Sequence, residues 1–332
     1  MTAAGPIAAF SREGLVFGYH MPTQTFPVPT EGLFDRIVDN VQAAEAAGFD
    51  LVTVMDHFHQ IGPVGAPEEP MLESATLLGA LAARTGRMRL GTMVAGVTYR
   101  NPALVAKAVT TLDVISGGRA VCGLGAGWYE EEHAAYGFVF PPIGERMDRL
   151  EEAIQICRLM FTEERASFEG RHYRVEGALN RPRPIQVGGP PILIGGSGER
   201  RTLRLVARYA DISNWFGSLD ELRHKSDVLH RYCDEIGRDP DEILRTVLLT
   251  VIVADRADQA SPILEQLAPE RRAQAIVGTP ESIAERLTAY VDLGFRGFTL
   301  RNVGLPDPQA IAGAGELIGL MRAGSGARLA GV

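Results

Sequence analysis

The chain has 332 residues, 45% of them hydrophobic, and a formal net charge of −8, enough for one large core, so a single domain over residues 1–332 is expected. An acidic chain without a lysine/arginine block is poorly suited to a phosphate backbone, which removes nucleic acid from the expected partners. Cys122, Cys157 and Cys233 are odd in number and widely spaced, which points to neither a disulfide framework nor a thiolate zinc site and implies a reducing, cytoplasmic compartment.

Taken from the N-terminus, residues 1–10 carry no basic stretch ahead of their few apolar residues, so no export signal is expected. The first strand is predicted at Leu15–His20 and the second at Leu51–Asp56, followed by a proline- and glycine-rich excursion, Phe58 to Met71, that could form part of a lid. Strands then follow at Met88–Ala95 and Ala120–Gly125, and Leu150, Ile154, Cys157 and Phe161 recur at helical spacing within a helix over Arg146 to Phe161. The stretch 162–190, rich in arginine, proline and glycine, breaks the rhythm and reads as an excursion over the barrel mouth. Four more strands are predicted at Pro191–Gly195, Ala210–Asn214, Thr246–Val253 and Gly297–Arg301. All eight are nearly continuous apolar runs, as strands buried on both faces must be, and they alternate with amphipathic stretches. The expected fold is therefore a single (β/α)8 TIM barrel. The longest apolar run, Val247 to Ala254 broken by Thr250, is too short to span a bilayer, so no membrane partner is expected.

Four features carry chemistry. Gly195, Gly196, Ser197 and Gly198 leave a strand and enter a helix at Thr202, an arrangement that points backbone N–H groups at an anion; a tight turn with no ligand is the competing reading. Gly123, Gly125 and Gly127 lack the third glycine of a dinucleotide fingerprint, but the backbone of Gly125, Ala126, Gly127 and Tyr129 could receive a flat ring or ribityl chain, unless the glycines serve strand packing. Asp56 and His57 end the second strand, where barrel enzymes collect catalytic groups: a histidine moves protons near neutral pH and an adjacent carboxylate could tune it. A structural histidine, or a metal shared by His57 and His59, competes with that reading, but no third ligand is apparent and no metal is expected. Trp128, Trp215 and His20 lie at strand ends and are taken as substrate-side residues, although either tryptophan could equally fill core.

Over nearly its whole length the chain resembles the bacterial luciferase-like monooxygenase superfamily, in its deazaflavin-dependent oxidoreductase branch. The segments that carry the resemblance are Val54 to Phe58, Gly91 to Val94 with Tyr99 to Pro102, Leu112 to Arg119, Gly123 to Tyr129, and Pro191 to Gly198 with Tyr209 to Asp211. The resemblance implies a ring system in the barrel mouth, backed by a non-proline cis peptide that would fall at Met93-Val94. It also implies phosphate contacts at Gly195 to Gly198, a proton-transfer role for His57 with Asp56 as its neighbour, and a homodimer. The implied activity is hydride transfer between a deazaflavin, coenzyme F420, and a small, largely apolar organic substrate. An FMN-dependent monooxygenase using reduced flavin and oxygen is the alternative, and a non-catalytic flavin-binding protein a third. The sugar-phosphate dehydrogenases of this superfamily carry a glutamate where this chain has Trp128, so sugar-phosphate oxidation falls outside the expectation.

Overall fold

The computed structural model describes residues 10, 14–254, 256–265, 267–301 and 308–329; apart from Phe10, the N-terminal stretch read for an export signal lies outside them. Eight parallel strands close on one another in chain order: β1 (Val16–Met21), β2 (Leu51–Val54), β3 (Arg89–Thr92), β5 (Ala120–Gly125), β8 (Ile192–Gly195), β9 (Ile212–Trp215), β10 (Leu244–Val253) and β12 (Gly297–Arg301), the last pairing with β1. The barrel predicted from the sequence is present, each predicted strand overlapping an observed one. Two short strands extend it, β4 (Ala95–Gly96) on β5 and β11 (Ile276–Gly278) on β10, and β6 (Ala166–Glu169) and β7 (Arg174–Ala178) form a separate antiparallel hairpin.

Helices separate the barrel strands and sheathe them: α1 (Thr30–Ala46), α2 (Ser74–Ala82), α3 (Pro102–Ser116), α4 (Glu130–Tyr136), α5 (Ile143–Thr162), α6 (Thr202–Tyr209), α7 (Leu219–Ile236), α8 (Ala257–Glu265), α9 (Pro269–Gln274), α10 (Pro280–Asp292) and α11 (Pro308–Leu329). Strand residues alternate in direction. Phe17, Tyr19, Val52, Val54, Cys122, Ile194, Trp215 and Val247 join the large core under the helices, whereas Val16, Leu51, Val121, Leu193, Ile212 and Leu244 form a separate apolar cluster with Phe10. These six lie at or near the starts of their strands, so the cluster floors the lumen at the N-terminal end. Two residues further along each strand the inward positions turn small or polar: Gly18, Thr53, Gly123, Gly195, Asn214 and Thr246. The lumen is thus sealed below and polar toward its C-terminal mouth.

Between β3 and β4 the chain bulges, and the Met93-Val94 peptide is cis, at the position the resemblance implied. Val94 packs against the next two strands round the barrel, β5 and β8. A β-carbon on Gly125 would meet Val94 Cγ2 at 2.4 Å, one on Gly195 would meet Val94 Cγ1 at 2.8 Å, and one on Gly123 would meet the Thr92 carbonyl at 1.9 Å. The packing reading of Gly123 and Gly125 therefore applies: these glycines make room for the bulge.

The excursion at 162–190 does not cover the mouth, which corrects the expectation. Because α5 runs back from the mouth, the chain leaves it at the opposite face. Asn180 Nδ2 donates to the Met160 carbonyl (2.9 Å) and to Thr110 Oγ1 (2.8 Å), and Gln186 Nε2 donates to the carbonyl of Ala120, the first residue of β5 (2.8 Å). Only the hairpin tip climbs beside α5, held by backbone N–H bonds from Arg171 and Tyr173 to the Glu152 carboxylate, until Tyr173 Oη reaches the Val97 carbonyl at 2.9 Å. Among the described residues no helix is long and apolar enough to cross a membrane.

Candidate active site

Strand β2 delivers His57 to the mouth and the chain after β5 delivers α4 beside it. His57 Nδ1 lies 2.9 Å from Glu132 Oε2, and the Glu132 carboxylate has no exposed surface. Glu132 Oε1 also accepts from the Phe58 backbone N–H at 2.5 Å and from the His59 N–H at 3.3 Å, and Tyr99 donates its hydroxyl to Oε2. Burial by itself would raise the Glu132 carboxyl, but the hydrogen bonds from His57, Tyr99 and the Phe58 amide outweigh it and hold the group down at about 2. Glu132 is therefore ionised at neutral pH. Burial and then the same carboxylate push the Tyr99 phenol well above its ordinary range, so Tyr99 stays a donor. An ionised acceptor on Nδ1 fixes the neutral imidazole as the Nδ1–H tautomer and leaves Nε2 as the atom available to a ligand. The rings of Trp128 and Tyr129 stand edge-on to His57, each with its centroid 5.8 Å away.

Asp56 takes a different position from the one expected. Its carboxylate turns to Arg100 Nη1 (2.7 and 2.9 Å), to the Ser74 hydroxyl (2.6 Å) and to the Gly96 backbone N–H (3.1 Å). It ties the bulge to α2 and does not touch the His57 ring; the carboxylate on that ring is Glu132. The reason is strand parity, since Asp56 shares the outward direction of Val54. Parity also removes Trp215 from the substrate side: it follows inward-facing Asn214, is fully buried, and packs edge-to-face on Phe295 at 5.4 Å. Trp128 is 55% exposed. His59 bonds through Nδ1 to the Gln60 carbonyl (3.0 Å), and among the described residues no group of three or more His, Cys, Asp or Glu could hold a metal.

The loop Gly195 to Gly198 sits at the same face, between β8 and α6. Gly196 has φ +96°, and a β-carbon there would meet nothing closer than Thr202 Cγ2 at 3.7 Å, so the space over this glycine is open. No side chain caps the start of α6 at Arg201. Lys225, from α7, donates to the Ser197 hydroxyl at 3.0 Å. An open glycine turn, an uncapped helix start and an ammonium group together suit an anion. The sequence reading missed both Glu132 and Lys225, because each lies within a charged helical stretch that reads as solvated surface.

A closed parallel barrel with a hydrogen-bonded histidine and an anion-suited glycine turn at its C-terminal mouth has the architecture of the (β/α)8 barrel enzymes. The family model of luciferase-like monooxygenases matches residues 15–271, and the chain belongs to that family. The F420-dependent glucose-6-phosphate dehydrogenase of Intrasporangium calvum is 31% identical over 310 residues, covering 83% of this chain and 90% of that one. Among solved structures, an F420-dependent secondary alcohol dehydrogenase bound to an F420-acetone adduct superposes with TM-score 0.78 at 20% identity, over 92% of this chain and 99% of the other. Riboflavin lyase with modified FMN superposes with TM-score 0.79 at 17% identity, over 94% and 92%. At these identities the two structures speak to the fold alone.

Proposed function

We propose that the protein is a cytoplasmic, homodimeric F420-dependent oxidoreductase. It transfers a hydride between the deazaflavin and an oxygen-bearing carbon of a small organic substrate, with His57 as proton acceptor or donor. The observation that carries this reading is the buried, ionised Glu132 on His57 Nδ1, which leaves Nε2 for chemistry at the mouth. The dehydrogenase relative that shares most of the chain is named for F420, which favours the deazaflavin over FMN.

The residues present fit that cofactor. Gly195 to Gly198, with Lys225 beside Ser197, would hold its phosphate end, and the Met93-Val94 bulge would back its ring. Ala126, Gly127 and Tyr129 would lie along it. A deazaflavin bound there supplies a two-electron hydride donor or acceptor. Loss of hydride from an alcohol carbon leaves one hydroxyl proton to be removed, and the Nε2 lone pair of His57 receives it; in the reverse direction the imidazolium returns it. Glu132 stabilises that imidazolium without itself taking the proton, because its carboxyl is held so far down. Asp56 acts at one remove, by holding Gly96 and so the bulge. Trp128 would form one wall for the substrate.

The expectation of a largely apolar substrate sits poorly with Thr53, Asn214, Thr246 and Thr299 on the lumen wall, and an alcohol or its carbonyl counterpart suits that wall better. Lys225→Met is expected to raise the F420 dissociation constant by about tenfold, roughly the loss of one charge-assisted contact, with little change in melting temperature. Fluorescence titration and thermal unfolding check both. Unchanged affinity would move the phosphate elsewhere. Substitution of Gly196 is a poorer probe, since φ +96° strains any side chain there regardless of ligand.

A further inference from the structure

Strand register places three polar side chains side by side at the top of the lumen, away from the glycine turn. His20 on β1 pairs with Arg301 on β12, and Arg301 pairs with Thr250 on β10. All three have the inward parity of Val16 and Leu244, the floor residues of β1 and β10. His20 and Thr250 are buried, and Arg301 is half-buried. His20 Nδ1 lies 2.9 Å from Thr53 Oγ1, which extends the row onto β2, the strand that leads to His57. Arg301 Nε donates to Thr250 Oγ1 at 2.8 Å, and among the described residues no carboxylate pairs with its guanidinium. A cavity of about 490 Å³ opens beside the row, with Leu248, Thr250, Arg301, Gln274, Gly217 and Ser218 in its lining. Glu221 also lines it, but its carboxylate accepts from the Ser218 N–H (2.8 Å) and hydroxyl (3.0 Å) and is committed to capping α7. Glu285 and Arg286 contribute one charge of each sign.

A guanidinium withdrawn from water without a carboxylate is costly unless something else completes it, and its planar fork matches a carboxylate or phosphate. We propose that Arg301, flanked by His20 and Thr250, is a subsite for an anionic group on the substrate, a carboxylate or a phosphate ester. The subsite lies in the mouth with His57, so an anion held on Arg301 orients the rest of the substrate from a fixed end. Burial, then Arg301 and Arg271, pull His20 down to about 3, so His20 is neutral and serves the anion as a hydrogen-bonding group rather than as a second charge. Burial and Arg271 bring Arg301 down only to about 10, so it stays cationic at neutral pH. Arg271 adds a second cation whose charge Arg301 feels, and an anion relieves that positive potential.

This inference rests on the proposed function for the substrate's place in the mouth, and its test separates the two. The purified protein is titrated calorimetrically with inorganic phosphate and, separately, with acetate, with and without saturating F420. Saturable binding of at least one anion is expected in the parent; phosphate alone indicates a phosphate ester and acetate alone a carboxylate. Arg301→Met should weaken that binding by at least about tenfold, and Arg301→Lys, which keeps the charge but loses the fork, by about threefold or more. F420 affinity should change by less than about twofold in either variant. The subsite is overturned if neither anion saturates the parent, or if both variants bind like the parent; Arg301→Lys keeps the test decisive should Arg301→Met fail to fold. If phosphate behaves as expected but F420 does not bind, the proposed function falls and the subsite stands.

Discussion

His57→Ala is expected to lower turnover by about 100- to 10,000-fold, the usual contribution of a positioned acid or base, while the F420 dissociation constant changes by less than about tenfold. The side chain is 12% exposed, at the end of β2, with one ring nitrogen committed to Glu132 and the other left for the mouth. A histidine that served only packing would show the opposite pattern, with lost stability and unchanged activity per folded molecule. Stopped-flow measurement of F420 oxidation or reduction at saturating cofactor distinguishes them, and near-parent rates in the variant would remove His57 from the chemistry.

Glu132→Gln should cost about 100-fold or more in turnover, although it alters no atom expected to touch substrate. The carboxylate accepts from His57, Tyr99 and the Phe58 amide, and an amide cannot accept from all of them, since half of its polar capacity is donor. Either the new NH2 faces the Phe58 N–H, a buried clash of donors, or it faces His57, which then takes the tautomer with its proton on Nε2. The buried mismatch should also lower stability by about 1–3 kcal/mol. The pH dependence follows from the sign of the shift. The folded carboxyl sits at about 2 against an ordinary 4.5, so its contribution is fully present above about pH 4.5 and is lost as pH falls toward 2. Melting temperatures taken from pH 7 down to 2 should fall more steeply in that window for the parent than for the variant. Parallel curves would mean that Glu132 stabilises the fold in some other way.

The barrel was legible because parallel strands buried on both faces must be written as continuous apolar runs, and eight of them occur in order. Strand β11 was not, since three residues on the flank of β10 leave too short a pattern, and neither was the β6–β7 hairpin, whose exposed residues need no apolar alternation. The misplacement of residues 162–190 was avoidable in principle: a segment that follows a helix and precedes a strand starts from the N-terminal face, whatever its composition. Parity would likewise have sent Trp215 outward once Asn214 was placed inward. Glu132 was hidden for a different reason. Glu130, Glu131 and Glu132 look alike in sequence, and only the packing of α4 against the end of β2 buries the third and leaves the other two outside. Arg301 is legible in the sequence as a lone charge closing an apolar strand.

The glycine turn, Lys225 and the Met93-Val94 bulge together suit the mouth to a deazaflavin. Fluorescence titration of the purified protein with F420 and with FMN under the same conditions tests it most directly. F420 should bind at least about tenfold tighter, a difference of about 1.4 kcal/mol, and equal or reversed affinities would contradict a deazaflavin site.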